Sequence, residues 1–293
     1  MNRDTCLKRH LLHACVEAYH PDPPVYSGPA RWTARPVRIA PGRSPVSFLN
    51  LPVPEIDFAL AGRFAEGIVV AFRGTLPPLD LSPDGMRIVN PDIAGLAIAF
   101  DWGNNLDAPP IRNVALGGAT LPGAVHRGFA ESLARLWPGV AAAIDRLRSD
   151  DPAPRLFFTG HSKGGALANL AAACARQVWP SATVKAATFG APRAGDPDFA
   201  REYAAAGIEC HRYEVTGDQV PTVPPGTEPV GALHSLEQVP RPRPPGPVRF
   251  VRSLFAGRDD RWILPGVVAA HLPYRHFGYG DNVCEPGCQH DWR

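Results

Sequence analysis

Apolar positions along this chain change period several times. From Asp4 to Tyr19 they fall at helical spacing, with Leu7, Leu11 and Cys15 on one stripe and Leu12, Val16 and Tyr19 beside it, and Pro21–Pro24 stop the run. Ile56–Phe64 and Gly67–Arg73 read as two strands separated by Ala65-Glu66. The second, GIVVAFRG, is almost continuously apolar, as expected of a strand covered on both faces. Arg127 to Arg148 returns to helical spacing, with Phe129, Leu133, Leu136, Val140, Ile144 and Leu147 on one face and Pro138 as a candidate kink. There follow a strand at Arg155–Thr159, a helix at Ser162–Trp179, a strand at Val184–Phe189, a short helix at Pro197–Ala206 and a strand at Glu209–Val215. Strand and helix alternate, which predicts right-handed crossovers, a mostly parallel sheet and an α/β fold. Beyond Val230 the pattern weakens: ALHSLEQV reads as an edge strand and Leu272–Tyr279 as a short helix.

The 293 residues are enough to bury a sizeable core as one domain. A net charge of +2 without basic runs argues against a nucleic-acid partner. No apolar stretch approaches the ~20 residues of a membrane span. Charges within the N-terminal apolar pattern argue against a signal peptide, so a cytoplasmic location is expected, with leaderless export as the alternative. The 34 prolines gather at Pro21–Pro24, Pro77–Pro91, Pro221–Pro229 and Pro240–Pro247, which read as loops. Of six cysteines, Cys174 lies on an apolar helix stripe and is expected in the core. Cys284 and Cys288, followed by His290, read as a disulfide or as half of a metal site whose second half is not evident. His10 and His13 are expected to face solvent or to cap.

The chemistry centres on FFTGHSKGGAL, Phe157 to Leu167. Here G-x-S-x-G sits between an apolar strand and an Ala-rich helix, with Ser162 at the tip of the turn. Gly160 and Gly164 remove Cβ atoms where a sharp turn brings backbone segments together. The N–H of Lys163, at the start of the helix, points where an oxyanion would form. A serine hydroxyl needs a base, and the base needs a carboxylate to orient it. Asp218 follows the strand ECHRYEV and sits in TGDQVPTVPP, where prolines stiffen the loop. Its competing reading is a turn aspartate capping its own loop. Asp196 fits better as a helix N-cap ahead of Pro197. His211, His234, His271, His276 and His290 follow the serine. His211 and His234 lie in strands, and His271, at a loop-to-helix junction, is the preferred base. Thr75, after Gly74 at the end of VVAFRGT, is the second oxyanion donor, through its N–H and its hydroxyl; a threonine that merely ends a strand is the alternative.

The blocks VVAFRGT (Val69–Thr75), DWGNNL (Asp101–Leu106), VHRGF (Val125–Phe129), TGHSKGGALA (Thr159–Ala168), TFGAPRAGD (Thr188–Asp196), GDQVPTVPP (Gly217–Pro225) and HLPY (His271–Tyr274) resemble, in order, those of the class 3 lipases, over roughly Ile56 to Gly280. The resemblance implies an α/β-hydrolase fold with a lid insertion at 76–100; residues 1–293 are read as one such domain, with 1–55 as an N-terminal helix and extended segment packing on it. It implies a carboxylic ester hydrolase of the lipase or phospholipase A1 type, with Ser162, Asp218 and His271 as triad and Thr75 and Lys163 as oxyanion hole. No metal or organic cofactor is called for. His126 and Arg193 match the family pattern and are read as structural. The expected partners are a lipid ester and, transiently, a lipid surface. Two features depart from the pattern. Lys163 stands where an uncharged residue is more familiar; its side chain is expected in solvent, or else as a cation favouring phosphate-bearing lipids. Residues Leu76 to Phe100 are long and broken by proline, and IAGLAIAF within them reads either as a cover for an acyl groove or as core. The rival readings are a phospholipase A1, perhaps exported against other cells, and a catalytically inactive lipid-binding or interaction protein on the same scaffold.

Overall fold

A computed structural model of the chain describes residues 6–19, 30–41, 57–75, 79–82, 85–88 and 109–236. Its centre is a seven-stranded sheet. The strands are β1 (Val37–Ile39), β2 (Ala59–Phe64), β3 (Gly67–Phe72), β10 (Arg155–His161), β11 (Thr183–Phe189), β12 (Glu209–Val215) and β13 (Ala232–Leu236), neighbours in that order. From β3 to β13 every pairing is parallel, whereas β1–β2 and β2–β3 are antiparallel. Short pairs lie outside this sheet: β4 (Leu79–Ser82) with β5 (Gly85–Ile88), β6 (Pro110–Arg112) with β9 (Ala124–His126), and β7 (Ala115–Leu116) with β8 (Ala119–Thr120).

Helices cover both faces, which is why β3, β10 and β11 are buried on successive residues rather than alternate ones. On one face lies α1 (Leu7–Tyr19). Its Leu7, Leu11, Leu12 and Cys15 pack with Val69, Phe157, Phe189 and Tyr213. On the other lie α2 (Arg127–Arg148), α3 (Lys163–Val178) and α4 (Pro197–Ala205), whose Leu133, Leu136, Ile144, Leu167, Leu170 and Phe199 share a cluster with Val70, Phe158 and Ala186. The Ala-rich sequence of α3 has a packing consequence: its first thirteen residues are all buried, and small side chains let a central helix sit close to the sheet. α4 starts as its sequence predicts, with Asp196 Oδ1 accepting from Phe199 N at 2.8 Å and Pro197 in the first turn.

His10 does not face solvent: it is buried, edge-on to Phe64. Cys174 is in the core as expected, and Cys15 and Cys210 are also free and buried. Cys6 is disulfide-bonded. The hairpin β4–β5 occupies part of the stretch read as a lid. IAGLAIAF, DWGNNL, Cys284, Cys288 and the helix expected at Leu272–Tyr279 lie outside the described residues.

Near the end of α1, Glu17 accepts a hydrogen bond from Trp32 Nε1 at 2.6 Å. Burial pushes its carboxyl from 4.5 up to about 7, against that bond. The folded chain therefore binds a proton at Glu17 that the unfolded chain has already released between pH 4.5 and about 7. The resulting stabilisation is complete below that window and is lost as pH rises through it. Replacing Glu17→Gln should flatten the corresponding slope of unfolding free energy against pH, measured by denaturant titration across the window.

Candidate active site

The turn between β10 and α3 is built by close backbone approach. Ser162 has φ 56° and ψ −134°, a left-handed conformation that costs a non-glycine residue energy and needs surrounding structure to enforce it. That structure is visible. Ser162 N donates to Phe189 O at 2.9 Å, and Gly165 N donates to Ser162 O at 2.8 Å. A Cβ on Gly160 would lie 2.0 Å from Gly164 O, and one on Gly164 would lie 2.2 Å from Phe72 O. The first turn of α3 is thus seated directly on the C-terminal ends of β10 and β3. Ser162 is half-buried there, its N–H held by the end of β11.

Thr75, half-buried, follows β3 at the same edge. The chain reaches it through a narrow slot at Gly74, where a Cβ would meet Tyr19 Oη at 2.1 Å and His161 O at 2.5 Å. The Tyr19 hydroxyl and His161 Nδ1 are 2.9 Å apart, so the last residue of α1 is bonded to the residue preceding Ser162. Nothing in the sequence signalled this pairing of residues so far apart in the chain.

Asp218 lies beyond β12, two strands from β10 along the same edge, and is buried at 7% exposure. Its N–H donates to Val215 O at 3.0 Å, and its Oδ1 accepts from Val220 N at 3.0 Å. The capping role weighed for it is therefore real, and it pins the carboxylate near the sheet edge. Arg193 secures the following loop: its Nε donates to Pro221 O and its Nη1 to Thr227 O, while its backbone N donates to Val223 O. His126 is buried against Phe129, and burial holds its pKa below the ordinary imidazole value. His211 and His234 lie in β12 and β13 and face each other, Nδ1 to Nε2, at 2.7 Å. His271, His276 and His290 lie outside the described residues.

Lys163 corrects an expectation. Its side chain is not in solvent: it is 4% exposed, with Nζ 3.2 Å from Oδ1 of Asp57, itself 3% exposed. The other Asp57 oxygen accepts from Arg135 Nε of α2 at 2.6 Å, and Arg135 Nη2 donates to Ser132 Oγ. Burial alone would raise the Asp57 carboxyl, but Lys163 and Arg135 outweigh it and hold the group below its usual range. Asp57 precedes an apolar strand and carries no motif, so sequence reasoning passed over it.

The family profile described as Lipase (class 3) matches residues 69–228. The chain belongs to the class 3 lipases. Among its relatives, this class 3 lipase is 33% identical over 120 residues to the lipase of Rhizomucor miehei, a match covering 39% of this chain and 32% of that one. It is 33% identical over 101 residues to the secreted mono- and diacylglycerol lipase 1 of Fusarium solani, covering 34% and 30% respectively. These matches span about a third of the relatives' length. The crystal structure of a triacylglycerol lipase from Penicillium expansum shares the α/β-hydrolase fold, with a TM-score of 0.56 at 18% identity over 78% of this chain and 76% of that one. The family match includes Thr75, Ser162, Lys163 and Asp218 and ends before His271.

Because Gly164 packs its Cα against the Phe72 carbonyl, Gly164→Ala should force the first turn of α3 off the sheet. The expected loss is about 1–3 kcal/mol of unfolding free energy, read from denaturant curves.

Proposed function

We propose that this chain is a serine hydrolase that cleaves carboxylic esters of lipids through an acyl-enzyme. The observation that carries this reading is Ser162, held at φ 56° between the end of β10 and the first turn of α3. A strained serine at the tip of a strand-to-helix turn is the geometry that presents a nucleophile to a substrate above the sheet edge. The membership of the class 3 lipases and the lipase names of its relatives support the substrate class.

In this reading His271 takes the Ser162 proton as Oγ bonds to the ester carbonyl carbon. Asp218 stabilises the imidazolium. The negative charge on the carbonyl oxygen is met by Thr75 and by the Lys163 N–H, which also carries the positive end of the α3 dipole. As the tetrahedral species collapses, the carbon–alkoxy oxygen bond breaks and His271 protonates the departing alcohol. Water, deprotonated by His271, then releases the fatty acid and restores the serine. A lipid–water interface is the natural place for such a substrate. A preference for phospholipids rested on Lys163 as a cation facing the ligand, and its burial on Asp57 removes that support. The Cys6 disulfide favours an oxidising compartment, hence export over the cytoplasmic location expected from sequence.

A fluorophosphonate probe should label the wild-type chain and leave Ser162→Ala unlabelled, whereas an inactive binding protein would stay unlabelled as wild type. With a p-nitrophenyl ester, Ser162→Ala should lose the acylation burst and roughly 10⁶-fold in kcat; a variant that keeps its burst refutes the assignment. Thr75→Val, which keeps the N–H and removes the hydroxyl, should lower kcat by roughly 10²-fold with little change in KM, measured under the same assay.

A further inference from the structure

We infer that the buried ion pair between Lys163 and Asp57 is a positioning device that sets the two halves of the oxyanion hole at a fixed separation. The inference rests on the proposed hydrolase reading and assigns to the Lys163 side chain a task separate from that of its backbone N–H.

The argument starts from which elements the pair joins. Lys163 is the first residue of α3, so its side chain is anchored to the helical turn that carries one proposed donor. Asp57 is two residues ahead of β2, which runs antiparallel to β3 with Ala59 opposite Phe72. Arg73 N donates to Phe58 O at 2.9 Å, which extends that ladder past the strand end. Asp57 is thereby held against the stretch Arg73–Thr75, whose last residue is the other proposed donor. Lys163 Nζ to Asp57 Oδ1, at 3.2 Å, closes the link between the two donors from beneath.

The link is stiff for three reasons. Both charges are almost entirely out of water, so solvent neither screens the attraction nor offers a competing partner. The second Asp57 oxygen is occupied by Arg135 Nε at 2.6 Å, and Arg135 belongs to α2, so the carboxylate is held from a third element. Below the helix turn there is no slack either, since Gly164 already meets the Phe72 carbonyl at the limit of backbone approach. Steric contact sets how near α3 comes to β3, and the ion pair stops it from lifting or sliding away. A charge pair buried this deeply costs desolvation energy that an apolar pair would not, and a fixed geometry at the adjacent site is what that cost secures. Oxyanion donors act only when already in place as charge develops, so a small displacement is felt in the transition state and hardly at all in ground-state binding.

The test uses the full-length chain and a short-chain p-nitrophenyl ester. Lys163→Met keeps the length of the side chain and the backbone N–H while removing the charge. It should lower kcat by about 10–100-fold with KM within about threefold of wild type, and slow fluorophosphonate labelling in parallel. Asp57→Asn should do the same, and the double variant should be no worse than the poorer single one, because both cut one tie. Additive losses, or a folded Lys163→Met with wild-type kcat, overturn the inference. Should Lys163→Met fail to fold, the half-exposed Arg135→Gln decides: kcat should fall several-fold at constant KM, and an unchanged kcat overturns the inference. Absence of labelling or burst in the wild type would instead sink the hydrolase reading itself, so the two failures are distinguishable.

Discussion

The site depends on how closely the first turn of α3 approaches the ends of β3 and β10. Gly160 and Gly164 leave no room for a Cβ on either side of Ser162, and the backbone segments meet at contact distance. That contact forces the serine into a left-handed conformation. The surrounding bonds, from Ser162 N to Phe189 O and from Gly165 N to Ser162 O, help to hold it there. The same approach places the N-terminus of a sixteen-residue helix at the sheet edge, where the positive end of its dipole favours negative charge.

Around this contact polar side chains tie separate elements together. Tyr19 reaches from α1 to His161, tying the helix on one face of the sheet to the turn that carries Ser162. Lys163, Asp57 and Arg135 tie the opposite face to β2 and α2. Arg193 ties the loop after β11 to the loop after Asp218. Unsatisfied polar groups at these depths would be destabilising, and satisfied ones limit the geometries open to their neighbours. Thr75, Ser162 and Asp218 sit among such ties, just beyond the ends of strands, where side chains can be held accurately without being immobilised in the core.

Much of the architecture was legible because it follows from local periodicity. The helix Arg127–Arg148 and the strand Glu209–Val215 have the boundaries their apolar spacing predicts, and ALHSLEQV contains the edge strand. Asp196 was recognised as a cap from its place before Pro197, and its bond to Phe199 N follows from that local chemistry. Ser162 and Asp218 stand out in the sequence as candidates because the first lies in a strand–turn–helix motif and the second follows a strand end. His10 is buried although a polar residue type suggests exposure, because its position on the helix decides its burial.

The order of elements, the parallel sheet and the strand-to-helix turn at Ser162 follow from short stretches of sequence, since steric preference and hydrophobic period act over a few residues. What Lys163 does with its charge was not decidable in that way. Its partner is more than a hundred residues away in the chain and is brought to it only when β2 pairs with β3 and α3 settles on the sheet. The same holds for Tyr19 and His161. Electrostatic partnership depends on distance in space and on exclusion of water, and both are set by the assembled layers rather than by any segment alone.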